Sequence, residues 1–304
     1  MRTIVFLLLL HITPVFPQGI ARIPISHADR FVYSRILPDC RIIDTAYINV
    51  AYEYLFMTDT IKKQRWRDIV ILQVGRSYAK YFSGRGYVID SLNSTKTVLP
   101  HSKLDFAQLW FSFNHSNDES AYYTSRTDIL WNGQQHVFTV WQPEPTSYHT
   151  GQGYVYQDLI SDLKWELCNS EHTEPILGYN CIKATTVFRG RTYIAWFTPD
   201  IPVHIGPWKF VGLPGLILRV ETEDRQFYWG CRMISSQPIP IVEFFYDYKT
   251  TTRQQHMKFE RRIHKTPQIL FEMNGMEVRL FDRQRLYSPE EIEWTIPYNP
   301  IELE

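Results

Sequence analysis

The sequence predicts a mainly β fold, of the β-rich α+β kind: a curved antiparallel sheet, at its fullest a half-barrel, with a few short helices. Three observations lead there. Aromatic residues make up 15% of the chain, with 9 Trp, 19 Tyr and 18 Phe, and such side chains suit a pleated, half-buried surface. Runs of β-branched and aromatic residues recur along the chain with Gly- and Asn-containing turns between them, which is the pattern of consecutive hairpins. The third observation is the stretch 201–220, IPVHIGPWKFVGLPGLILRV. It sets Pro202, Pro207, Pro214, Gly206, Gly212 and Gly215 between two strand-like runs. Proline fixes φ and glycine opens positive φ, so this segment dictates a backbone shape. Leu213-Pro214-Gly215-Leu216 fits a type II turn, with Pro second and Gly third. Its titratable groups are few: His204, Lys209 and Arg219.

The elements follow in order. Arg2 and the apolar run 4–10, ended by Pro14 and Pro17, read as an export leader cleaved after Ala21 or near Gln18. The expected organisation is a signal peptide at 1–21 and one β-rich domain over 22–304. The first cysteine is Cys40, which speaks against a lipid anchor at the mature terminus. No later stretch approaches the roughly 18 apolar residues of a membrane-spanning helix. Residues 42–57 read as a strand, 59–67 as a turn, and 68–74 (DIVILQV) as a near-continuous apolar strand ended by Gly75. Residues 77–83, 87–92 and 104–113 fit strand or helix. A hairpin is expected over 128–141, with Asn132-Gly133 as its tight turn. The Pro-rich link 142–153 precedes a clearer strand pattern: 161–168, then a hairpin of 178–188 and 191–198 about Arg189-Gly190. Another hairpin joins 216–221 to 227–234 about Glu223-Asp224-Arg225. Residues 238–249 suit an edge strand, 256–269 a basic helix, and Ser288-Pro289 a helix start.

Charge and cysteine content bound the function. With 32 basic and 32 acidic residues the formal net charge is zero, so nothing points to nucleic acid. Cys40, Cys168, Cys181 and Cys231 allow three pairings in an oxidising compartment, and Cys168–Cys181 across a polar loop is the easiest to close. No P-loop, GxGxxG, HExxH or calcium loop occurs, and no cofactor is expected. Gly75-Arg76-Ser77-Tyr78-Ala79 imitates a nucleophile elbow with Ala in place of the second Gly, so Ser77 reads as a turn serine. Asp200 and His204 are four residues apart, but Pro199 and Pro202 exclude a helix that would align them on a metal. Asn93 and Asn114 begin N-glycosylation triplets. Lys183, Arg189, Arg191 and Lys209 are a modest basic cluster suited to a carboxylate or anionic head group. On alternating strands they are expected chiefly on the solvated face. Trp196, Phe197 and Trp208, with Leu213, are candidates to line an apolar groove, although core packing is the expected use of such side chains.

The hexapeptide Gly212-Leu213-Pro214-Gly215-Leu216-Ile217 resembles the motif that names the GLPGLI family, exported proteins of Gram-negative bacteria. The resemblance extends to Gly178–Ala184, Phe188–Arg191, Ala195–Pro202 and Gly206-Pro207-Trp208-Lys209-Phe210. It also takes in Ile71–Gly75, with Ser77 and 80–83, and the final stretch Asn299-Pro300-Ile301-Glu302-Leu303-Glu304. It implies export to the periplasm or outer membrane and brings no reaction or catalytic residue with it. The expectation is a non-enzymatic envelope protein that offers an apolar, aromatic-lined face to a lipid, peptide or protein partner. The alternative is a secreted hydrolase using Ser77, or a metal held at His204 and Asp200.

Overall fold

A computed structural model describes residues 39–87, 121–122, 127–143, 153–168, 173–266, 269, 280–282, 285–287 and 297–304. The leader 1–21, the stretches 88–92 and 104–113, both glycosylation triplets and the helix start at Ser288 lie outside the described residues. Strands dominate. They are β1 (Cys40–Ala46), β2 (Ile48–Asp59), β3 (Gln64–Val74), β4 (Tyr78–Ser83), β5 (Ala121–Tyr122), β6 (Asp128–Asn132), β7 (Val137–Pro143), β8 (Gly153–Leu159) and β9 (Glu166–Leu167). Beyond them come β10 (Thr173–Ile176), β11 (Tyr179–Phe188), β12 (Arg191–Thr198), β13 (Leu216–Thr222), β14 (Phe227–Ser235), β15 (Ile239–Phe244) and β16 (Lys249–Thr250). Helix α1 (Arg253–Lys265) and the pair β17 (Leu280–Asp282) and β18 (Arg285–Tyr287) follow, and residues 84–87 form a single helical turn after β4.

Fourteen strands form one sheet in the order β10-β11-β12-β13-β14-β2-β3-β4-β6-β7-β8-β16, with β5 added on β3 and β9 on β11. The neighbours are antiparallel, apart from β16 on β8 and β5 on β3. The ends, β10 and β16, do not pair with each other, so the sheet is open and not a closed barrel. The join between its halves is β14 on β2, from Phe227 opposite Phe56 to Ser235 opposite Asn49.

A two-stranded ribbon of β1 and β15 supplies a second layer. Its Val242 and Phe244 pack with Ala51, Ile69, Ile71 and Phe82, while Val50, Tyr52, Val70 and Leu72 belong to the larger core. Successive side chains of β2 and β3 therefore enter different cores. That is why residues 68–74 read as continuously apolar: both faces of the strand are covered. The run 42–57 is two strands and not one. It breaks at Tyr47, and β1 goes to the ribbon while β2 goes to the main sheet.

Local chemistry accounts for most turns. Arg189 (φ 52°) and Gly190 (φ 77°) both take positive φ, as a type I′ hairpin turn requires. The β6–β7 hairpin forms, but over four residues, 133–136. The Asn132 side chain accepts from the backbone N–H groups of Gln134 and Gln135, both at 3.1 Å, and so holds a longer loop. Only Glu166–Leu167 of the stretch 161–168 is strand; there the Trp165 indole N–H donates to the Val211 carbonyl at 2.9 Å and ties the segment to the central loop. Thr252 caps α1 through a capping box with Gln255. Arg262, His264 and Lys265 sit in its last turn, where the helix dipole favours positive charge.

The loop between β12 and β13 corrects the turn expected at 213–216. Gly215 does not take a positive φ; Gly212 does, at 97°. The Gly215 N–H instead closes back on the Leu213 carbonyl at 2.8 Å, a tight turn centred on Pro214. Glycine is needed at 215 for a different reason. A Cβ there would stand 2.0 Å from the Thr198 carbonyl oxygen, so the loop can return along β12 only where no side chain intervenes. We expect Gly215→Ala to destabilise the protein by several kcal/mol, and Pro214→Ala by about 1 kcal/mol through unfolded-state entropy. Urea unfolding of the two single variants measures the difference; equal losses would assign the constraint to the proline.

Candidate functional site

Lys209 is at the centre of the site. It follows Trp208, whose φ of 55° turns the chain at the tip of the loop. The loop is braced by an Ile205–Val211 bridge and by the Gly206 N–H donating to the Phe210 carbonyl at 2.8 Å. This geometry drives the Lys209 side chain inward, where only 1% of the residue is exposed. Its ammonium donates to Asp158 Oδ2 at 2.7 Å and to Glu302 Oε1 at 2.6 Å. The Tyr156 and Trp208 rings stand 5.4 and 5.3 Å away.

A second cation completes the cluster. Arg189, in the β11–β12 turn, donates to Asp158 Oδ1 at 3.0 Å and to Asp162 Oδ2 at 3.3 Å, and reaches Glu302 Oε2 at 3.5 Å. Arg253, at the head of α1, also donates to Glu302. Three cations thus face three carboxylates; Lys209, Arg189, Asp158 and Glu302 are buried, while Arg253 is partly and Asp162 largely exposed. Burial opposes the charge on Asp158, but the Lys209 ammonium and the Arg189 guanidinium outweigh it and hold the carboxyl below its ordinary value. Burial would likewise pull Lys209 down, yet Tyr156, Glu302 and Asp158 raise it above its ordinary value. Burial pushes the Tyr156 hydroxyl up to about 12.

Neighbouring residues, together with the Arg189 backbone, hold the segment 297–304 along the sheet. Arg191 donates to Asn299 Oδ1 and to the Pro300 carbonyl, both at 2.7 Å. Tyr193 donates to the Ile301 carbonyl at 3.1 Å, and the Leu303 N–H to the Arg189 carbonyl at 2.9 Å. The Asn299 amide donates to the Met57 carbonyl at 2.7 Å. On the other side, His264 Nδ1 lies 2.9 Å from the Pro297 carbonyl.

Beside the cluster lies a cavity of about 120 Å³. Its walls include Tyr156, Trp208, Ile301 and Met257, with Lys209, Glu302 and His256 among the polar groups at its edge. His256 is buried; its ring stacks on Tyr156 at 5.4 Å, and its Nε2 lies 3.3 Å from Glu260.

The predicted residues fall into two groups. Trp208, Lys209, Arg189 and Arg191 come together here, but the three basic residues are buried in internal pairs and are not on the solvated face. The reason is the return of 297–304, which brings carboxylate and carbonyl oxygens over them. Leu213 is buried in the main core and does not line the cavity. Trp196 is half-buried elsewhere on β12, under the Arg219 guanidinium at 3.8 Å.

The reactive residues of the alternative reading do not assemble. The Ser77 and Tyr78 N–H groups donate to Asp44 at 2.8 and 3.1 Å, so an aspartate pins this turn. Among the described residues no histidine meets the Ser77 hydroxyl. Asp200 and His204 are both exposed, and among the described residues no group of three or more His, Cys, Asp or Glu is placed to hold a metal. The four cysteines are free thiols. Cys168 is not joined to Cys181, because the strand register sets Cys168 beside Lys183, with its N–H on the Lys183 carbonyl at 3.0 Å, and Cys181 opposite Glu174. Burial pushes the Cys181 thiol up to about 11 and Cys231 up to about 12. Sequence reasoning did not find Asp158, Tyr156, Arg253 or His256. Glu302 had one signal, its place in the terminal stretch that resembles the family ending.

A family model described as a protein of unknown function (Porph_ging) matches residues 189–219, the stretch from Arg189 through Lys209 to Arg219. No curated protein matches the chain. Two crystal structures of PNGF-II, in space groups P21 and C2, superpose on 79% and 80% of this chain at 13% and 12% identity, each with a TM-score of 0.45. This chain spans 35% and 36% of the length of those two.

The ion network has a pH signature. Asp158 has a folded pKa below its unfolded value near 3.8, so its contribution is present above that pH and is lost as pH falls. Lys209 is raised above 10.5, so its contribution is present below that pH and is lost only in strong alkali. Lys209→Met leaves two buried carboxylates short of a partner and should cost about 3 kcal/mol near neutral pH. Its stability should also fall less steeply below pH 4 than that of the natural protein. Urea unfolding from pH 7 down to pH 3 tests both; parallel acid limbs would show that Asp158 owes nothing to Lys209.

Proposed function

We propose that this chain is an exported cell-envelope protein of the GLPGLI family that binds a partner without catalysis, and that the cavity between Tyr156, Trp208 and α1 is its binding seat. The family reading rests on the match at 189–219 together with the wider set of blocks around the GLPGLI hexapeptide. Export to the periplasm or outer membrane rests on the leader-like start and on that kinship. Among the described residues no helix is long and apolar enough to cross a membrane.

The observation that carries the binding reading is the aromatic-walled cavity beside the buried ion network. At about 120 Å³ it is well under the roughly 300–1,000 Å³ of sites that take drug-sized ligands. One ring or side chain of a peptide or protein partner suits it better than a lipid chain. The absence of catalysis is supported by the state of the reactive groups. Lys209 is held as an ammonium between two carboxylates and has no lone pair to offer. Ser77 stands in a turn fastened by Asp44.

Native mass spectrometry of protein purified from the cell envelope tests this reading. We expect an adduct on the natural protein, and its loss from Met257→Trp, which fills the cavity, with the melting temperature held within a few degrees. Bare protein of the same mass in both preparations would refute a binding role for the cavity.

A further inference from the structure

Two buried polar atoms on residues that line the cavity have no hydrogen-bond partner, His256 Nδ1 and the Tyr298 hydroxyl. His256 is 7% exposed, and its Nδ1 is buried with no hydrogen-bond partner. Its other nitrogen, Nε2, faces the Glu260 carboxylate at 3.3 Å, one turn along α1. In the tautomer that carries its proton on Nε2, directed at that carboxylate, Nδ1 is an acceptor. A buried acceptor without a donor costs free energy of the order of a lost hydrogen bond, so it calls for a partner.

The rest of the lining says what kind of partner. Lys209 and Glu302 are already spent on each other and on Asp158, Arg189 and Arg253. A charged ligand would have to break that balance, so the ligand is neutral. The Tyr156, Trp208 and His256 rings offer flat aromatic surface, which favours an aromatic guest. The volume is of the same order as the roughly 150 Å³ cavity that holds benzene. A hydroxyl on that ring would donate to Nδ1.

We infer that the cavity takes a phenolic ring, with its hydroxyl donated to His256 Nδ1 and its face against Tyr156 and Trp208. This rests on the reading of the cavity as a binding seat and adds the chemistry of the occupant. The ring comes either from a tyrosine side chain of a peptide or from a free phenol. His256 is then the residue that sets specificity.

Isothermal titration with phenol and with benzene separates the parts of this claim. The natural protein should bind phenol about tenfold more tightly than benzene, since benzene leaves Nδ1 unpaired. His256→Phe should bind the two alike. The 15N resonance of His256 Nδ1 should also move on addition of phenol and stay put with benzene, a readout that needs no variant. Equal affinity for phenol and benzene in the natural protein would overturn the role of His256 while leaving the cavity as a seat. Binding of neither would overturn both readings. Titration with Gly-Tyr-Gly against Gly-Phe-Gly distinguishes the sources. A preference for the tyrosine peptide assigns the ring to a peptide, and binding confined to free phenol assigns it to a small molecule.

Discussion

The ammonium of Lys209, closed between the carboxylates of Asp158 and Glu302, is the contact on which the site depends. A cation this far from water is tolerated only when its charge and its donors are all met. Here the partners come from three places: β8, the Arg189 turn and the segment 297–304. Each is placed by backbone structure of its own. Trp208 at positive φ turns the loop, the I′ turn sets Arg189, and the Leu303 N–H on the Arg189 carbonyl holds the final segment in line. Fixing the charges fixes the distance between the sheet and α1, because Arg253 and Lys209 meet at the same glutamate. The cavity is the space left between them.

The stretch 189–219 matched by the family model is also the stretch that supplies Arg189, Arg191 and Lys209 to this network. Its glycines serve backbone approach: Gly215 against Thr198 and Gly206 against Ile217, where an added Cβ would stand 2.0 and 2.7 Å away. The motif is thus a fastening. It bends the chain so that a lysine enters the interior and meets carboxylates from distant parts of the fold. That accounts for a motif rich in bends and poor in reactive groups.

Much of the β architecture was legible from local pattern. The hairpins about Arg189-Gly190 and 223–225 form where the turn residues place them, and α1 overlaps the basic stretch 256–269 expected to be helical but starts earlier, at Arg253. What local pattern could not supply was the partner of each charge. Lys209 is 51 residues from Asp158 and 93 from Glu302, and no periodicity encodes such a meeting. Arg189, Arg191 and Lys209 were therefore assigned to the solvated face, although the return of 297–304 covers them. The break at Tyr47 was hidden for a related reason: β1 and β2 are both half- or fully apolar, and only the pairing with β15 separates them. Gly215 shows the limit of turn rules, since Pro-Gly suits a type II turn and the structure uses the glycine for its missing side chain.

The central claim is that buried charge holds the segment 297–304 on the sheet. Native-state hydrogen exchange at the Leu303 amide tests it most directly, because that amide donates to Arg189 alongside the network. The account predicts slow exchange in the natural protein, comparable with β12 amides, and loss of that protection in Glu302→Gln while β12 stays protected. Fast exchange at Leu303 in the natural protein, or protection unchanged in Glu302→Gln, would contradict it.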